Sequence, residues 1–420
     1  MVANLTTPLI GIVSTTAIGR LGDAALLGGV AMASVIFDCL FWLFGFLRMS
    51  TLAFTAQSIG AGATRDVGLH LLRGLVAATL IGAALIALQV PLAAILFGAM
   101  RGSDAVTRAA KTYFAIRIWS APLVLANYVV LGWLIGQARA TLALVVQIAI
   151  NLINMAATVL LVAVLDTGIA GAATAAVIAE AAGLAIGIAV ARRLAEGELT
   201  ISWKALLDRA RLTRLLAVNF DIMIRTAALI TAFLFFTAQG ARAGDVTLAA
   251  NAVLNNFLLI SAFFLDGLAN AAEQLCGQAF GARDRTGFSD ATRLVILWGF
   301  GFALLVAAVF ALFGPRFIDL MTANEEVRRS ARAYLLFVIV APLPAVFAFG
   351  FDGIYIGATW ARDMRNLMLA SLAIFLAAWF ALRAFGNAGL WWALLAHYAA
   401  RGGLQALRYP ALFRASFAKV

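Results

Sequence analysis

The sequence has few charged side chains for its length. Only 12% of its 420 residues are Asp, Glu, Lys or Arg, whereas 64% are hydrophobic and the mean hydropathy is +0.98. A soluble protein has roughly 25% charged and about 45–50% apolar residues, so a water-exposed globule would not hide this much apolar surface. The composition excludes a soluble protein and predicts a polytopic membrane protein.

Cysteine and histidine are nearly absent. The two cysteines, Cys39 and Cys276, lie far apart within apolar segments, and the two histidines, His70 and His397, are isolated. A disulfide framework or a Cys/His metal site needs clusters at short spacing, so we expect no metal site and no cofactor. The sequence also lacks HExxH, CxxC, paired-His and nucleophile motifs, which argues against a membrane-embedded enzyme.

The charge that remains is mostly basic, with a net charge of +11. In membrane proteins, Lys and Arg collect in cytoplasmic loops beside anionic lipid headgroups. The basic excess therefore predicts membrane lipid as a partner and no nucleic acid. If the amino terminus is cytoplasmic, inside loops hold more Lys and Arg than outside loops, with Arg73 and Arg401 counted among them. We expect a monomer in the inner (plasma) membrane with both termini in the cytoplasm.

Long apolar runs follow one another along the chain. About 20 mostly apolar residues cross the hydrocarbon core as a helix, and continuous rather than alternating runs favour helices over a barrel. The sequence predicts twelve transmembrane helices, and the runs that exceed the bilayer thickness are expected to tilt. The predicted spans are Leu5–Leu21, Leu26–Ile59, Val67–Phe97, Ala105–Gln137, Leu142–Leu165, Gly168–Ala191, Leu212–Gly240, Leu248–Phe280, Ala291–Phe313, Val327–Ala358, Leu367–Phe385 and Leu390–Leu412.

The two halves of the chain resemble each other at a nearly constant spacing. AQSIGA (Ala56–Ala61) matches GQAFGA (Gly277–Ala282), which places Gln57 opposite Gln278 at a spacing of 221 residues. The same spacing relates three further pairs: Tyr113 and Tyr334, Gly132 and Gly353, and Gly136 and Gly357. Because each half holds six spans, the halves share one orientation and form a parallel repeat, as in transporters that rock two bundles around a central cleft.

A hydrophilic stretch near the middle of the chain separates these halves. It reads RRLAEGELTISWKALLDRARLTR, and its charges and amphipathic pattern suggest a linker on the cytoplasmic face. The predicted domains are an N-terminal six-helix bundle over residues 1–193, a linker over 194–212 and a C-terminal six-helix bundle over 213–420.

Several long motifs resemble the multidrug and toxic compound extrusion (MATE) transporters, in particular their DinF branch. The resemblance runs the whole length of the chain and implies an antiporter that expels organic compounds while protons or sodium ions enter. The motifs that carry it are TTPLIGIV (Thr6–Val13), AIGRLG (Ala17–Gly22), FLRMSTLAFTAQSIGA (Phe46–Ala61), APLVLANYVVLGWLIG (Ala121–Gly136), NFDIMIR (Asn219–Arg225), NAVLNNF (Asn251–Phe257), LDGLANAAEQLCGQAFGARD (Leu265–Asp284) and FDGIYIGATWARDMRN (Phe351–Asn366).

The sequence departs from this family at two positions that matter for ion coupling. Ser14 stands where the family commonly has an aspartate thought to bind the coupling proton, and Thr158 stands where a second acid is expected. A hydroxyl group carries no proton at physiological pH. Ser14, Thr15 and Thr158 are therefore expected to bind water or substrate, or to ease close helix packing. Family members also usually carry further residues ahead of the position of Met1, so the first span is expected to be short or its start incomplete.

Acidic residues inside the predicted spans are the candidates for coupling. A charged side chain at the bilayer centre costs about 2.5–3.5 kcal/mol on insertion scales, so acids at that depth usually have a function. The candidates for cation coupling or substrate binding are Asp38, Asp221, Asp266, Glu273 and Asp352, and Glu180 is interpreted as a partner of a basic group.

Each of these acids also has a structural interpretation. Asp221 precedes Arg225 by four residues, a spacing that suits an ion pair within one helix. Asp266 and Glu273 lie two turns, or about 10 Å, apart on one helix face, as expected for a relay or substrate-cation site, or for a solvated or Arg-paired site. Asp221 and Asp352 occupy places comparable to acids associated with cation binding in other branches of the family.

Amide side chains extend the predicted polar cavity. The polar candidates besides Ser14, Thr15 and Thr158 are Asn151, Asn154, Asn255, Gln57 and Gln278. The sequence thus predicts a secondary transporter that exports organic, often cationic and amphipathic, small molecules in exchange for H⁺ or Na⁺ by alternating access. The alternative is a transporter of the same superfamily that moves a lipid-linked or anionic substrate, without ion coupling.

Overall fold

The computed structural model describes residues 24–100, 103–195 and 203–418. Nearly all of these residues are helical, and none of them lies in a β-strand. Ser14, Thr15 and the predicted span Leu5–Leu21 lie outside the described residues.

The helices of the first half are separated by short turns. A 3₁₀ turn (Ile118–Ser120) joins α5 to α6, and a π-helical segment (Val159–Val164) extends α7. The helices are α1 (Ala24–Leu43), α2 (Phe46–Gly60), α3 (Thr64–Ala87), α4 (Gln89–Met100), α5 (Asp104–Arg117), α6 (Ala121–Gly136), α7 (Ala140–Thr158), α8 (Gly168–Leu194) and the short α9 (Trp203–Leu206).

The helices of the second half are longer. A 3₁₀ turn (Arg383–Phe385) connects the last two helices, and Gly386 follows it with a φ of +57°, a conformation that glycine adopts without a Cβ clash. The helices are α10 (Arg209–Arg242), α11 (Asp245–Gly281), α12 (Arg285–Met321), α13 (Glu325–Val340), α14 (Pro342–Gly357), α15 (Ala361–Leu382) and α16 (Gly386–Phe417).

The described residues account for eleven membrane crossings. Nine continuous helical segments are long and apolar enough to cross a bilayer, and the bent pair α13 and α14 makes a tenth. One of the nine, Ala361–Phe417, contains α15 and α16, which pack against each other and therefore cross separately. This arrangement confirms the predicted all-α membrane fold over the part of the chain that is described.

Two of the predicted long spans are broken rather than merely tilted. The run Val67–Phe97 is interrupted at Leu88, which separates α3 from α4. The run Val327–Ala358 bends by 46° at Ala341, where Pro342 begins α14. Proline cannot donate a backbone hydrogen bond and so forces a kink.

The described chain divides into two compact units, one on each side of the boundary between Leu215 and Leu216 within α10. The N-terminal unit holds α1 to α9, and the C-terminal unit holds most of α10 and α11 to α16. Within the C-terminal unit, α11 lies along α14 and α15 lies along α16. The exact bounds of the linker remain a prediction, because residues 196–202 are not described.

The described end of the predicted linker is fastened to α3. The guanidinium of Arg73, buried within α3, donates to the carbonyl oxygens of Ala205 and Leu206 at the end of α9. Arg211 forms an ion pair with Asp66 at the start of α3. The interpretation of Arg73 as a loop residue was wrong, because its guanidinium is buried where it satisfies the terminal carbonyls of a helix.

The sequence repeat is also a repeat of helix packing. A Cβ placed on Gly132 of α6 would lie 2.3 Å from the carbonyl oxygen of Arg48 in α2, and one on Gly353 of α14 would lie 2.4 Å from that of Ala269 in α11. Arg48 and Ala269 are themselves 221 residues apart. Glycine at both positions lets two backbones approach closely, which confirms the predicted pairing of Gly132 with Gly353.

Alanine at Gly132 or at Gly353 is expected to destabilise the protein by about 1–3 kcal/mol, since the new methyl group must push two helices apart. The measurement is the midpoint of thermal unfolding in detergent. Gly301→Ala in α12 is the matched control, because a Cβ there meets nothing within 4 Å. Equal midpoints for all three variants would contradict the close approach.

Candidate functional site

The centre of the C-terminal unit contains a buried cluster of charges around Asp352. The Asp352 carboxylate accepts hydrogen bonds from Arg225, from Arg401 and from Nε2 of Gln405, the last at 2.7 Å. The side chains of Asp352, Arg225 and Arg401 are each no more than 5% exposed. Three separate helices thus meet at one carboxylate.

The helical spacing of the sequence brings these groups together. Arg401 and Gln405 are four residues apart on α16, so both point to the same side of that helix. Tyr355, one turn after Asp352 on α14, donates from its hydroxyl to the carbonyl oxygen of Gln405 at 2.8 Å. The Arg401 guanidinium also stacks over the ring of Phe349, with its carbon 5.0 Å from the ring centroid. These contacts fix α14 against α16.

Asp352 is shared by two cations. A buried ion pair repays the desolvation of its charges only with good geometry and further hydrogen bonds, and the Gln405 amide supplies one of these. Two guanidinium groups on one carboxylate favour the ionised form of Asp352 and leave it little room to bind a coupling ion. The geometry therefore favours a structural role for Asp352, whose part in coupling stays a prediction.

Asp221 is also held by an arginine. Its carboxylate accepts from Nη1 of Arg365 on α15 at 2.5 Å, while Arg225, one turn further along α10, binds Asp352. The spacing within α10 suggested a pair between Asp221 and Arg225. The structure instead gives each of them a partner on another helix, because tertiary contacts place an opposite charge closer than the helix itself does.

The N-terminal unit holds a carboxyl group in a different environment. Nδ2 of Asn127 on α6 donates to Oε2 of Glu180 on α8 at 2.7 Å and to the Glu180 carbonyl oxygen at 3.0 Å. The Oδ1 atom of Asn127 is buried and has no hydrogen-bond partner among the described residues. Gly183 lets the Asn127 amide lie close to α8, since a Cβ there would be 3.6 Å from Nδ2. Glu180 thus has a neutral amide as its hydrogen-bond partner.

Arg117 is the cation of this region. It lies near enough to Glu180 and to Asp38 for electrostatic interaction with both. Its guanidinium carbon lies 5.4 Å from the ring centroid of Phe37, next to Asp38 on α1, and its Nη1 lies 3.4 Å from the Tyr113 hydroxyl. Among the described residues, neither Glu180 nor Asp38 forms an ion pair within 4.0 Å.

The two acids on α11 occupy different surroundings. Glu273 is 2% exposed and lies beside Gly357 of α14, whereas Asp266, two turns earlier, is exposed. Asp266 interacts electrostatically with Arg401 and Tyr398 of α16. The prediction that the two carboxylates share one polar face is therefore modified, because α14 covers only the end of α11 that carries Glu273.

The predicted polar residues are distributed between the two units. Asn151, Asn154 and Thr158 are buried along one face of α7, with Gln147 donating to Asn151 Oδ1 at 3.1 Å. The π-helical segment begins directly after Thr158, and such segments often mark functional sites. Gln57, Asn255 and Gln278 are half-buried on α2 and α11.

Sequence reasoning missed the residues that hold these acids. Arg401 was assigned to an inside loop, which was wrong, because the side chain is 2% exposed within α16. Arg117, Asn127 and Gln405 were not among the candidates. The available signal was a basic or amide side chain in the middle of an apolar run, which is as costly in a membrane as an acid.

Groups of His, Cys, Asp and Glu suited to a metal ion are not found among the described residues. The chemistry of the buried polar groups is therefore that of ion pairs, amide–carboxyl contacts and hydroxyl groups.

The fold and these buried charges define a polytopic helical membrane transporter with an internal parallel repeat. A MatE family model matches residues 1–160 and 222–380. The chain belongs to this family, that of the multidrug and toxic compound extrusion transporters.

The relatives place it near the DinF proteins. The chain is 38% identical over 406 residues to the DNA damage-inducible protein F of Escherichia coli strain K12, covering 95% of this chain and 87% of that protein. It is 27% identical to the probable multidrug resistance protein NorM of Rhizobium meliloti strain 1021, covering 94% of this chain and 88% of that protein.

Solved structures agree on the fold. A MOP superfamily transporter from Pyrococcus furiosus superposes with a TM-score of 0.89 at 17% identity, covering 99% of this chain and 94% of that one. A point mutant of the Vibrio cholerae MATE transporter VcmN gives 0.88 at 21% identity, covering 99% and 95%. At these identities, the likeness concerns the fold alone.

Proposed function

We propose that the protein is a secondary active efflux transporter of the inner membrane that exports amphipathic organic cations in exchange for protons, by alternating access. Family membership and the names of the relatives, which include a multidrug resistance protein, support efflux of organic compounds. The contact between Glu180 and Asn127 is the observation that carries the coupling part of this proposal.

Asn127 is suited to both protonation states of Glu180. Its Nδ2 donates to the carboxylate, as an ionised acid requires. Its Oδ1, without a partner among the described residues, offers an acceptor for the hydroxyl of a protonated acid. A carboxyl group that loses and regains a proton needs a partner of this kind, because a buried polar group left without a hydrogen bond is costly.

The contrast with the arginine-bound acids supports the same assignment. Asp352 and Asp221 already neutralise guanidinium groups at short distance. Protonating either would leave a buried or half-buried cation unpaired, at a cost of several kcal/mol for the buried one. Glu180, with Asp38 beside the same Arg117, lacks such a partner among the described residues and is the better proton carrier.

Purified protein in liposomes that contain a pH-sensitive dye tests this function. With the lumen acidified, adding a fluorescent organic cation such as ethidium is expected to release protons from the liposomes, and ethidium is expected to accumulate inside by exchange. Liposomes without protein, and the same liposomes treated with a proton ionophore, are the controls.

Two outcomes of this assay contradict the proposal. Cation movement that requires a sodium gradient and ignores pH would assign coupling to Na⁺. Transport of an anionic amphiphile that survives collapse of both gradients would favour the alternative, a transporter of anionic or lipid-linked compounds without ion coupling. Asp352, shared by two arginines, would then be the first place to look for an anion-binding group.

A further inference from the structure

Helix α10 is attached to the C-terminal unit differently from its neighbours. In the described part of the chain, α10 is missing from the helix pairs whose backbones run close together, whereas α11 to α16 each lie along another helix. Its attachment depends on side chains. Aromatic contacts hold the later turns, with the ring of Phe236 5.0 Å from that of Trp391. Two ion pairs hold the earlier turns.

The interface of α10 is also unusually polar. Asn219 and Thr226 are buried on it, and the Oδ1 atom of Asn219 and the hydroxyl of Thr226 have no hydrogen-bond partner among the described residues. Between them lie the two charged side chains that pair with other helices, Asp221 and Arg225. A helix packed for permanence would bury apolar groups at these positions, because unsatisfied polar groups weaken packing.

The four charges on and around α10 have a second possible arrangement. Asp221 and Arg225 are four residues apart on one helix, a spacing at which opposite charges meet without any other helix. If α10 moves away from α14 and α15, these two side chains neutralise each other. Asp352 then still has Arg401 and Gln405, both of which already bind it.

We propose that α10 is a moving helix of the C-terminal unit, and that an exchange of ion pairs keeps its buried charges neutral in two positions. In the docked position Asp221 binds Arg365 and Arg225 binds Asp352. In the released position Asp221 binds Arg225, while Asp352 stays with Arg401. The side chain that gives up its partner is Arg365, which is 23% exposed and also contacts the Asn366 amide at 2.9–3.0 Å.

This exchange gives Arg401 a positioning role. Asp352 needs two cations only if one of them is to leave, and the second one prevents a buried carboxylate from being stranded. The inference deepens the proposed transport cycle by naming a helix that moves, and it rests on the proposed function only for the use made of that movement.

Two variants that break the same ion pair separate exchange from a fixed contact. Arg365→Gln removes the docked partner of Asp221 and leaves the released position intact, so it is expected to raise the released fraction about fivefold, the effect of one partly exposed pair. Asp221→Asn removes the docked pair but also leaves Arg225 alone in the released position. It is therefore expected to lower the released fraction below that of the unmodified protein.

Spin labels at the exposed positions Leu234 on α10 and Ile374 on α15 report this movement by pulsed electron paramagnetic resonance distance measurements. Cys39→Ala and Cys276→Ser remove the native thiols, and no substrate is added, so the outcome does not depend on transport. Arg365→Lys, which keeps the cation, is expected to restore the distance distribution of the unmodified protein.

Shifts in opposite directions for Arg365→Gln and Asp221→Asn would support the exchange. Equal shifts in one direction would show an ordinary structural ion pair, and a single unchanging distance in all variants would show that α10 is fixed. Either result overturns the inference. A protein that shows the exchange but fails the liposome assay would overturn the proposed function alone.

Discussion

Replacing Asp352 by asparagine is expected to lower the free energy of unfolding by about 3–5 kcal/mol, because it leaves two buried guanidinium groups without a carboxylate. Arg225 and Arg401 are 4% and 2% exposed, so water does not reach them to replace the lost charge. The measurement is the unfolding midpoint of the purified protein in detergent, together with the yield of monodisperse protein.

Matched variants distinguish this effect from a general loss of packing. Arg225→Gln leaves one carboxylate on one guanidinium, so it is expected to cost clearly less than Asp352→Asn. The triple variant Arg225→Met, Asp352→Leu and Arg401→Met removes all three charges and is expected to recover most of the lost stability, as apolar replacement of buried ion triads can. If Asp352→Asn is no less stable than Arg225→Gln, Asp352 does not carry both cations.

Replacing Glu180 by glutamine is expected to reduce substrate-driven proton release to the level of liposomes without protein. Glutamine keeps the size of the side chain and can still contact Asn127, but it cannot bind and release a proton. The unfolding midpoint is expected to change little, since the environment that holds Glu180 is a neutral amide. The liposome assay with an acidified lumen measures the effect.

A second acid on a membrane helix provides the control for Glu180. Asp363 in the first turn of α15 is held by Arg408 at 2.9 Å, and Asp363→Asn is expected to keep proton release. Full proton coupling in Glu180→Gln would transfer the role to Asp38, Asp266 or Glu273. Loss of coupling in both variants would indicate that any lost carboxylate disturbs the protein.

The repeat was the most informative prediction from the sequence about packing. Gly132 and Gly353 were paired by spacing alone, and each proves to be the point where two backbones nearly touch. The charged sites do not follow the repeat, since the position 221 residues before Asp352 is Leu131. A duplicated fold keeps the close approaches that its packing requires, while its polar groups diverge with the task of each half.

Partners of the intramembrane charges were beyond prediction. Arg225 and Asp352 are 127 residues apart, and a local pattern offered Arg225 a partner in Asp221 that the structure does not use. Arg401 near the end of the chain looked like a loop residue because loop assignment relies on local charge. Its burial depends on a carboxylate on another helix.

Hydropathy and composition by themselves determined that this protein is a helical membrane protein with two similar halves, because the exclusion of water acts on each segment separately and needs no knowledge of its neighbours. Which acids are neutralised by arginine and which are held by an amide was decided only by the tertiary structure. Ion pairs join residues far apart in sequence, and in a membrane interior the nearest available partner decides whether a carboxyl group supports the fold or remains able to exchange a proton.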